Sequence, residues 1–406
     1  MVIFIIHPYF PGQFKHLAPY LASNKENQVY FLANYNETDT KLKNVKLVLY
    51  NSYSDKQKQW IDSTNILVNA AEATLYGRAT IKAMIYLRDQ KNIIPDIIIG
   101  HTGWGSLLYC KDIYPNVPVI GYFEWYYHAL KSDGWWWEDE VPTTYQKIAV
   151  RTKNMHHLLS LESCDVGVCP TKWQFNQFPA EYRFKLNIIH EGINTQFFIP
   201  NKQPLVLNDL QLPNDIELVT YATRGLEMYR GFPYFMDAIR ILLKKRPKLH
   251  IIVAGKDKVY YGLKLPDKTF LQAEKEKGQF DTERVHFVGF RNKLDYLKIL
   301  QASDCHVYLT RPFILSWSLL EAMSCEVPIV SSSVPPVQEV IDDNINGLLA
   351  DFRSSDDIAN KIEILLDNKE KARLLGQQAR QTILQKYNLM DCLHAYDNLI
   401  NKVVKQ

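Results

Sequence analysis

Tyr308–Pro328, YLTRPFILSWSLLEAMSCEVP, reads as a strand that runs out into a short loop and then starts a helix bearing Glu321. A strand end that meets a helix N-terminus gathers unpaired backbone N–H groups and the positive end of the helix dipole, which favours a phosphate-bearing or polyhydroxylated ligand. Leu315, Ser316 and Trp317 would supply the donors, and Glu321, a turn further on, is placed to accept hydrogen bonds from vicinal hydroxyls such as those of a ribose. Taken alone, LLEAM is more simply a buried helix with one capped carboxylate. The rest of the chain decides between the two.

Working outward, the second half alternates apolar runs with helical stretches. Strands are expected at Leu218–Tyr221, Leu249–Ala254, Val285–Val288, Cys305–Leu309 and Pro328–Ser332, and helices at Pro233–Lys244, Lys293–Gln301 and about Ser355–Lys386. The first half does the same. Val2–Ile6 is a continuous apolar run of the kind buried on both faces, followed by the Pro/Gly loop Pro8–Gln13 and a helix near Phe14–Leu21. Val29–Ala33, Val45–Leu49, Ile97–Gly100, Val117–Phe123, Cys164–Cys169 and Leu186–His190 are further strands, with a long helix from about Thr64 to Gln90. Glycine or polar residues stand at strand after strand's carboxyl end, as in open α/β sheets that build sites there: Gly12, HTGWGS from His101, and Glu124. The expected class is α/β, with two Rossmann-like domains facing each other across a cleft. Residues 1–200 and 201–386 form the two domains, and 387–406 is a last helix folding back on the first.

A length of 406 residues is more than one hydrophobic core usually serves. At 47% apolar and 22% charged the chain is not disordered, and a net charge of +3 without a basic stripe gives no reason to expect nucleic acid. Six cysteines without a CxxC pair read as reduced small hydrophobes, and no metal-ligand spacing appears. MVIFIIHPYF lacks a basic leader and a cleavage site, so it reads as a first strand rather than a signal peptide. A cytoplasmic protein is expected, with the inner face of the membrane as a candidate peripheral surface.

Two constellations carry chemistry. Arg224 and Arg230 flank a glycine turn between a strand and a helix, where forked guanidinium donors can neutralise a diphosphate as it departs. Solvated surface arginines are the simpler alternative, but their placement at a strand's carboxyl end favours a site. In the first half, SDGWWWEDE (Ser132–Glu140) is either a loop packed on its domain or an aromatic platform for a sugar or lipid-linked partner. Glu124 could hydrogen-bond a sugar, take a proton from an acceptor hydroxyl, or serve structurally beside Trp125 and Tyr126.

TRGLEMYRG, FVGF, SWSLLEAMSCEVPIV and PPVQEVIDDNINGLL, in that order, resemble the donor-binding domain of family 4 retaining glycosyltransferases of GT-B fold. HPYFPGQF and HEGINTQFF resemble that family's first loop and inter-domain segment. The resemblance implies transfer of a sugar from a nucleotide diphosphate sugar to a glycan, lipid or small-molecule acceptor, with no cofactor and no metal. It assigns Arg224 and Arg230 to the diphosphate, Arg230 standing where the family usually has lysine. It places Gly12 near the phosphates, Gly289 and Phe290 at the nucleobase, Leu315, Ser316 and Trp317 at the sugar, and Glu321 at the ribose. The family's first glutamate of E-x7-E is Phe313 here, which makes Arg311 a candidate substitute. Glu124 stands where many relatives have histidine. His101, Tyr126 and Trp136 are candidate acceptor contacts. A non-catalytic subunit of a glycosylation complex and a sugar-nucleotide epimerase fit the same motifs.

Overall fold

The computed structural model describes residues 1–35, 40–51, 66–278 and 281–405. The chain divides into two compact units, Met1–Gly192 with Leu389–Gln406, and Ile193–Asn388. Ile193 and Phe198 are buried in the second unit's core, so the first unit's main stretch stops short of residue 200.

In the first unit β1 (Val2–Ile6), β2 (Gln28–Ala33), β3 (Val45–Leu49), β4 (Ile97–His101), β5 (Val119–Tyr122), β6 (Val166–Cys169) and β7 (Leu186–Ile188) form one parallel sheet in the order β3-β2-β1-β4-β5-β6-β7. Successive β1 residues supply opposite faces: Ile3 and Ile5 join the core under Phe14, Leu17 and the helix Leu389–Val404, whereas Phe4 and Ile6 join that of Met84 and Leu87. Burial on both sides explains why VIFII is continuously apolar rather than alternating. Leu393, Tyr396, Ile400 and Val403 form the buried stripe of Leu389–Val404, at helical spacing, and complete the first of these cores. The helix Val68–Lys91 begins beyond the expected start near Thr64, which lies outside the described residues.

The second unit repeats the plan with β8 (Glu217–Gly225), β9 (Leu249–Lys256), β10 (Val285–Gly289), β11 (Cys305–Tyr308), β12 (Ile329–Ser332) and β13 (Leu348–Ala350), all parallel in the order β10-β9-β8-β11-β12-β13. Helix Phe232–Lys245 starts after Gly231, whose φ of +67° suits glycine and whose Cβ would stand 2.7 Å from the Leu309 Cβ. Phe232, Phe235, Met236, Ile239 and Leu243 are its buried face. The expected helical run Ser355–Lys386 is two helices, Ser355–Asp367 and Lys369–Lys386, because Asn368 leaves helical geometry and its side chain accepts the Lys371 N–H as an N-cap. All six cysteines are buried free thiols.

Strand order reverses between β1 and β4 in one sheet and between β8 and β11 in the other. Chains diverging to opposite faces at such a point leave a crevice outside the strands' carboxyl ends, where ligands of open α/β sheets bind.

Candidate active site

At the second switch point β8 runs out into Arg224 and Gly225, turns through Leu226 and Glu227, and enters a short 3₁₀ turn, Met228–Arg230. Arg230 is only 8% exposed. Its guanidinium donates to the hydroxyls of Tyr308 (3.0 Å) and Thr310 (2.8 Å) and to the Ile314 carbonyl (3.4 Å), all neutral oxygens at or just beyond the end of β11. The rings of Tyr261 and Tyr308 lie 5.6 Å and 6.0 Å from it. The hydrogen-bond acceptors of Arg230 are neutral hydroxyls and a carbonyl, aromatic faces flank it, and the Glu227 carboxylate acts on it through space, so no hydrogen-bonded partner carries the opposite charge. Arg224 is exposed and lies 4.1 Å over the ring of Tyr260.

Glu227, 1% exposed, accepts the amides of Tyr260 (2.5 Å) and Tyr261 (3.1 Å) and so ties the loop after β9 to the turn after β8. Burial pushes its carboxyl above the usual carboxylate range, against the pull of those two amides and of Arg230 and Arg224.

Across the switch point, Ser316 caps the helix Trp317–Ser324 by accepting the Ser318 N–H. Its own amide is donated to the Tyr308 hydroxyl at 2.9 Å. The Tyr308 hydroxyl thus receives both this N–H, expected to face a ligand, and the Arg230 guanidinium. Leu315 is buried, and Trp317 begins the helix, half-buried. Phe313 is buried against Tyr229 and Tyr261, with ring centroids 5.9 Å and 5.0 Å away, and Arg311 lies 5.6 Å from the Tyr229 ring. Glu321 stands beside Tyr296, whose phenol burial and that carboxylate push well above the ordinary tyrosine value. Gly289 ends edge strand β10 with φ +69° and open space at its Cβ position; Phe290 is 66% exposed, with the Lys256 ammonium 5.1 Å from its ring.

The first switch point gathers His7, Gly12, Gln13, His101 and Glu124. Gly12 has φ +50°, and a Cβ there would stand 2.6 Å from the His7 ring, so a protein contact already requires the glycine. Gln13 donates to Glu124 at 2.8 Å, and His101 Nε2 lies 3.5 Å from the other Glu124 oxygen. Because His101 Nδ1 accepts the Gly103 N–H at 2.9 Å, the neutral ring carries its proton on Nε2, toward Glu124. Tyr126 is half-buried near Phe178 at 5.7 Å, and Trp136 packs edge-on to Trp173 at 6.1 Å. Glu140 accepts the Trp136 and Trp137 amides at 3.0 Å and 3.3 Å, so the tryptophan loop closes on itself with half-buried rings.

Behind this set His156 is buried, lies 3.1 Å from the Gly103 carbonyl, and is pushed down to about 4 by burial. An unfolded histidine titrates near 6.5, so the unfolded chain binds the extra proton first as pH falls. The stabilisation is complete above about pH 6.5 and is lost toward pH 4, at a cost of about 2 kcal/mol by pH 5 from this residue. Urea midpoints followed by tryptophan fluorescence are expected to fall between pH 7 and 5, and less steeply in His156→Gln. Equal slopes in both proteins would rule this origin out.

Among the described residues, no group of three or more His, Cys, Asp and Glu is gathered as metal ligands would be, and no helix is long and apolar enough to cross a membrane.

Two parallel sheets of Rossmann type in one chain are the architecture of the GT-B class. Residues 25–198 match the glycosyl transferase family 4 group and residues 206–382 the glycosyl transferases group 1 family, and the chain belongs to this glycosyltransferase family. An uncharacterized glycosyltransferase of Methanocaldococcus jannaschii is 28% identical over 163 residues, covering 39% of this chain and 38% of that one. Putative glycosyltransferase EpsD of Bacillus subtilis is 26% identical over 197 residues, 48% of this chain and 49% of its own; with both relatives the match spans less than half their length. A probable sucrose-phosphate synthase of Thermosipho melanesiensis is 25% identical over 78% of this chain and 73% of its own. The solved glycosyltransferase of Rickettsia africae superposes with a TM-score of 0.69 at 15% identity, covering 100% of this chain and 99% of its own. Anabaena HepE in complex with UDP-glucose gives 0.66 at 15%, covering 99% and 100%.

Proposed function

We propose that this chain transfers a glycosyl group from a nucleoside diphosphate sugar to an acceptor hydroxyl, with retention of configuration, in the synthesis of a glycan, glycolipid or surface polysaccharide. The observation that carries this reading is Arg230: a buried guanidinium at a topological switch point whose hydrogen-bond acceptors are neutral oxygens. The departing diphosphate takes its charge stabilisation from Arg230 and Arg224, preorganised donors aimed at charge that grows in the transition state. In this reading the arginines make a metal unnecessary. The bond from the sugar carbon to the diphosphate oxygen breaks as the acceptor hydroxyl bonds the oxocarbenium-like carbon on the same face, and the hydroxyl proton passes to the departing diphosphate oxygen. Glu124, held by Gln13, is the residue we assign to the acceptor side. A UDP-linked hexose is the first donor to try, because Anabaena HepE was solved with UDP-glucose. The protein acts at the cytoplasmic side, free or against the membrane.

Binding of a sugar-nucleotide panel to the purified protein, followed by mass spectrometry of products formed with cell extract, tests the proposal. Transfer of the sugar to an extract component supports it. Phe313, apolar where the family has a carboxylate, favours a second reading as a non-catalytic subunit, and nucleotide binding without transfer or donor hydrolysis would establish that instead. Conversion of the donor alone would mark an epimerase.

Phe313 also yields a prediction within the first reading. Its ring offers the sugar no hydrogen-bond acceptor, so Phe313→Glu is expected to shift the ratio of kcat/KM between two donor sugars by about tenfold or more. An unchanged ranking across the panel would remove Phe313 from the sugar pocket.

A further inference from the structure

The loop after β9, Asp257–Gly262, approaches the turn after β8 more closely than any side chain at two positions would allow. A Cβ on Gly225 would stand 2.3 Å from the Lys258 carbonyl oxygen and 2.7 Å from the Tyr260 ring. At the loop's other end Gly262, with φ +81°, would place a Cβ 2.5 Å from the Tyr229 ring. Between these contacts one Glu227 carboxylate oxygen receives the consecutive amides of Tyr260 and Tyr261. The rings on those two residues each face a guanidinium, Tyr260 under Arg224 at 4.1 Å and Tyr261 beside Arg230 at 5.6 Å.

We propose that Glu227 is a positioning residue that latches the Asp257–Gly262 loop, so that Tyr260 and Tyr261 hold Arg224 and Arg230 ready for a diphosphate. This rests on the reading of the arginine pair as the diphosphate site. The physical reason is the freedom of an exposed arginine. Arg224 has many rotamers in water, and a ring 4.1 Å from its guanidinium selects among them before the ligand arrives. A ring can do that only while its backbone is fixed, and the Glu227 carboxylate fixes it through two amides. Electrostatics alone predicts the opposite sign. A carboxylate near two arginines repels a diphosphate, so its removal would tighten binding if charge were its main contribution.

The test is titration calorimetry on the full-length protein with UDP, GDP, CDP, ADP and dTDP and with the corresponding nucleosides. For the diphosphate that binds, Glu227→Ala is expected to weaken affinity about tenfold or more while nucleoside affinity changes less than about twofold. Glu227→Gln keeps an acceptor oxygen for the amides and is expected to stay within about threefold of the wild type. Tyr260→Leu, which leaves the latch in place, is expected to lose about fivefold and serves if Glu227→Ala does not fold. Unchanged or tighter diphosphate binding in Glu227→Ala, or an equal loss for nucleoside and diphosphate, overturns the latch. So does wild-type affinity in Tyr260→Leu. Arg224→Ala separates the two levels: if it weakens diphosphate binding and Glu227→Ala does not, only the latch fails. If Arg224→Ala binds normally, or the wild type binds none of the five diphosphates, the diphosphate site itself falls and the latch with it.

Discussion

Arg230→Ala is expected to lower kcat/KM for the cognate sugar nucleotide about a thousandfold, roughly 4 kcal/mol of transition-state stabilisation. The guanidinium stands between the carboxyl ends of β8 and β11, with its N–H groups fixed by the Tyr308 and Thr310 hydroxyls. Water filling the space would have to reorient as the diphosphate departs, whereas the fixed donors do not. Truncation also leaves the buried Thr310 hydroxyl without its donor, so a loss of about 1–3 kcal/mol in stability should accompany the loss of rate. Arg224→Ala separates rate from stability, because its side chain is exposed. It is expected to fold like the wild type and to lose about a hundredfold in kcat/KM. Steady-state kinetics with urea titrations of both variants check this, and near-normal turnover in both would end the proposed role of the pair.

Gly225→Ala is the second large effect. The added methyl would meet a backbone carbonyl, the Lys258 oxygen at 2.3 Å, which cannot rotate away as a side chain would. The Asp257–Gly262 loop must therefore shift, at a cost of about 1–3 kcal/mol, and it carries Tyr260 and Tyr261 with it. Displacing groups that orient a reacting site by about 1 Å costs roughly a hundredfold in rate. We expect that loss in kcat/KM, with the far-ultraviolet dichroism of the variant unchanged. Full activity would mean that the loop has no part in catalysis.

The second-unit strands were legible as short apolar-rich runs between turn residues: Leu249–Ala254 and Val285–Val288 lie within the observed β9 and β10. β13 went unread because Leu348–Ala350 is too short to show a period. The helix Thr144–Lys153 went unread for a different reason, since it buries none of its residues and so writes no apolar stripe into the sequence. Of the candidate site, the arginines stand out in the sequence because they bracket a glycine turn at a strand end. Glu227 lay between them without signalling its partners. The pairing of β8 with β9 brings residues 227 and 260 together, and that adjacency is a property of the fold, not of local spacing. VYYG just beyond β9 was the available hint, an aromatic pair before a glycine at a strand's carboxyl end. The role expected of Gly12 in admitting a ligand could not be separated, from sequence, from the steric demand of His7.

The helix Leu389–Val404 has a consequence for biosynthesis. Its apolar stripe, Leu393, Tyr396, Ile400 and Val403, closes one core of the sheet that begins at β1, yet it is translated after the whole of Ile193–Asn388. While the ribosome is still at work, the amino-terminal sheet therefore waits with a greasy flank uncovered, whereas the domain made later already has all its parts. Of the two units, the one translated first is the last to be finished, and nascent chains stalled before Leu389 should be the species that chaperones hold longest.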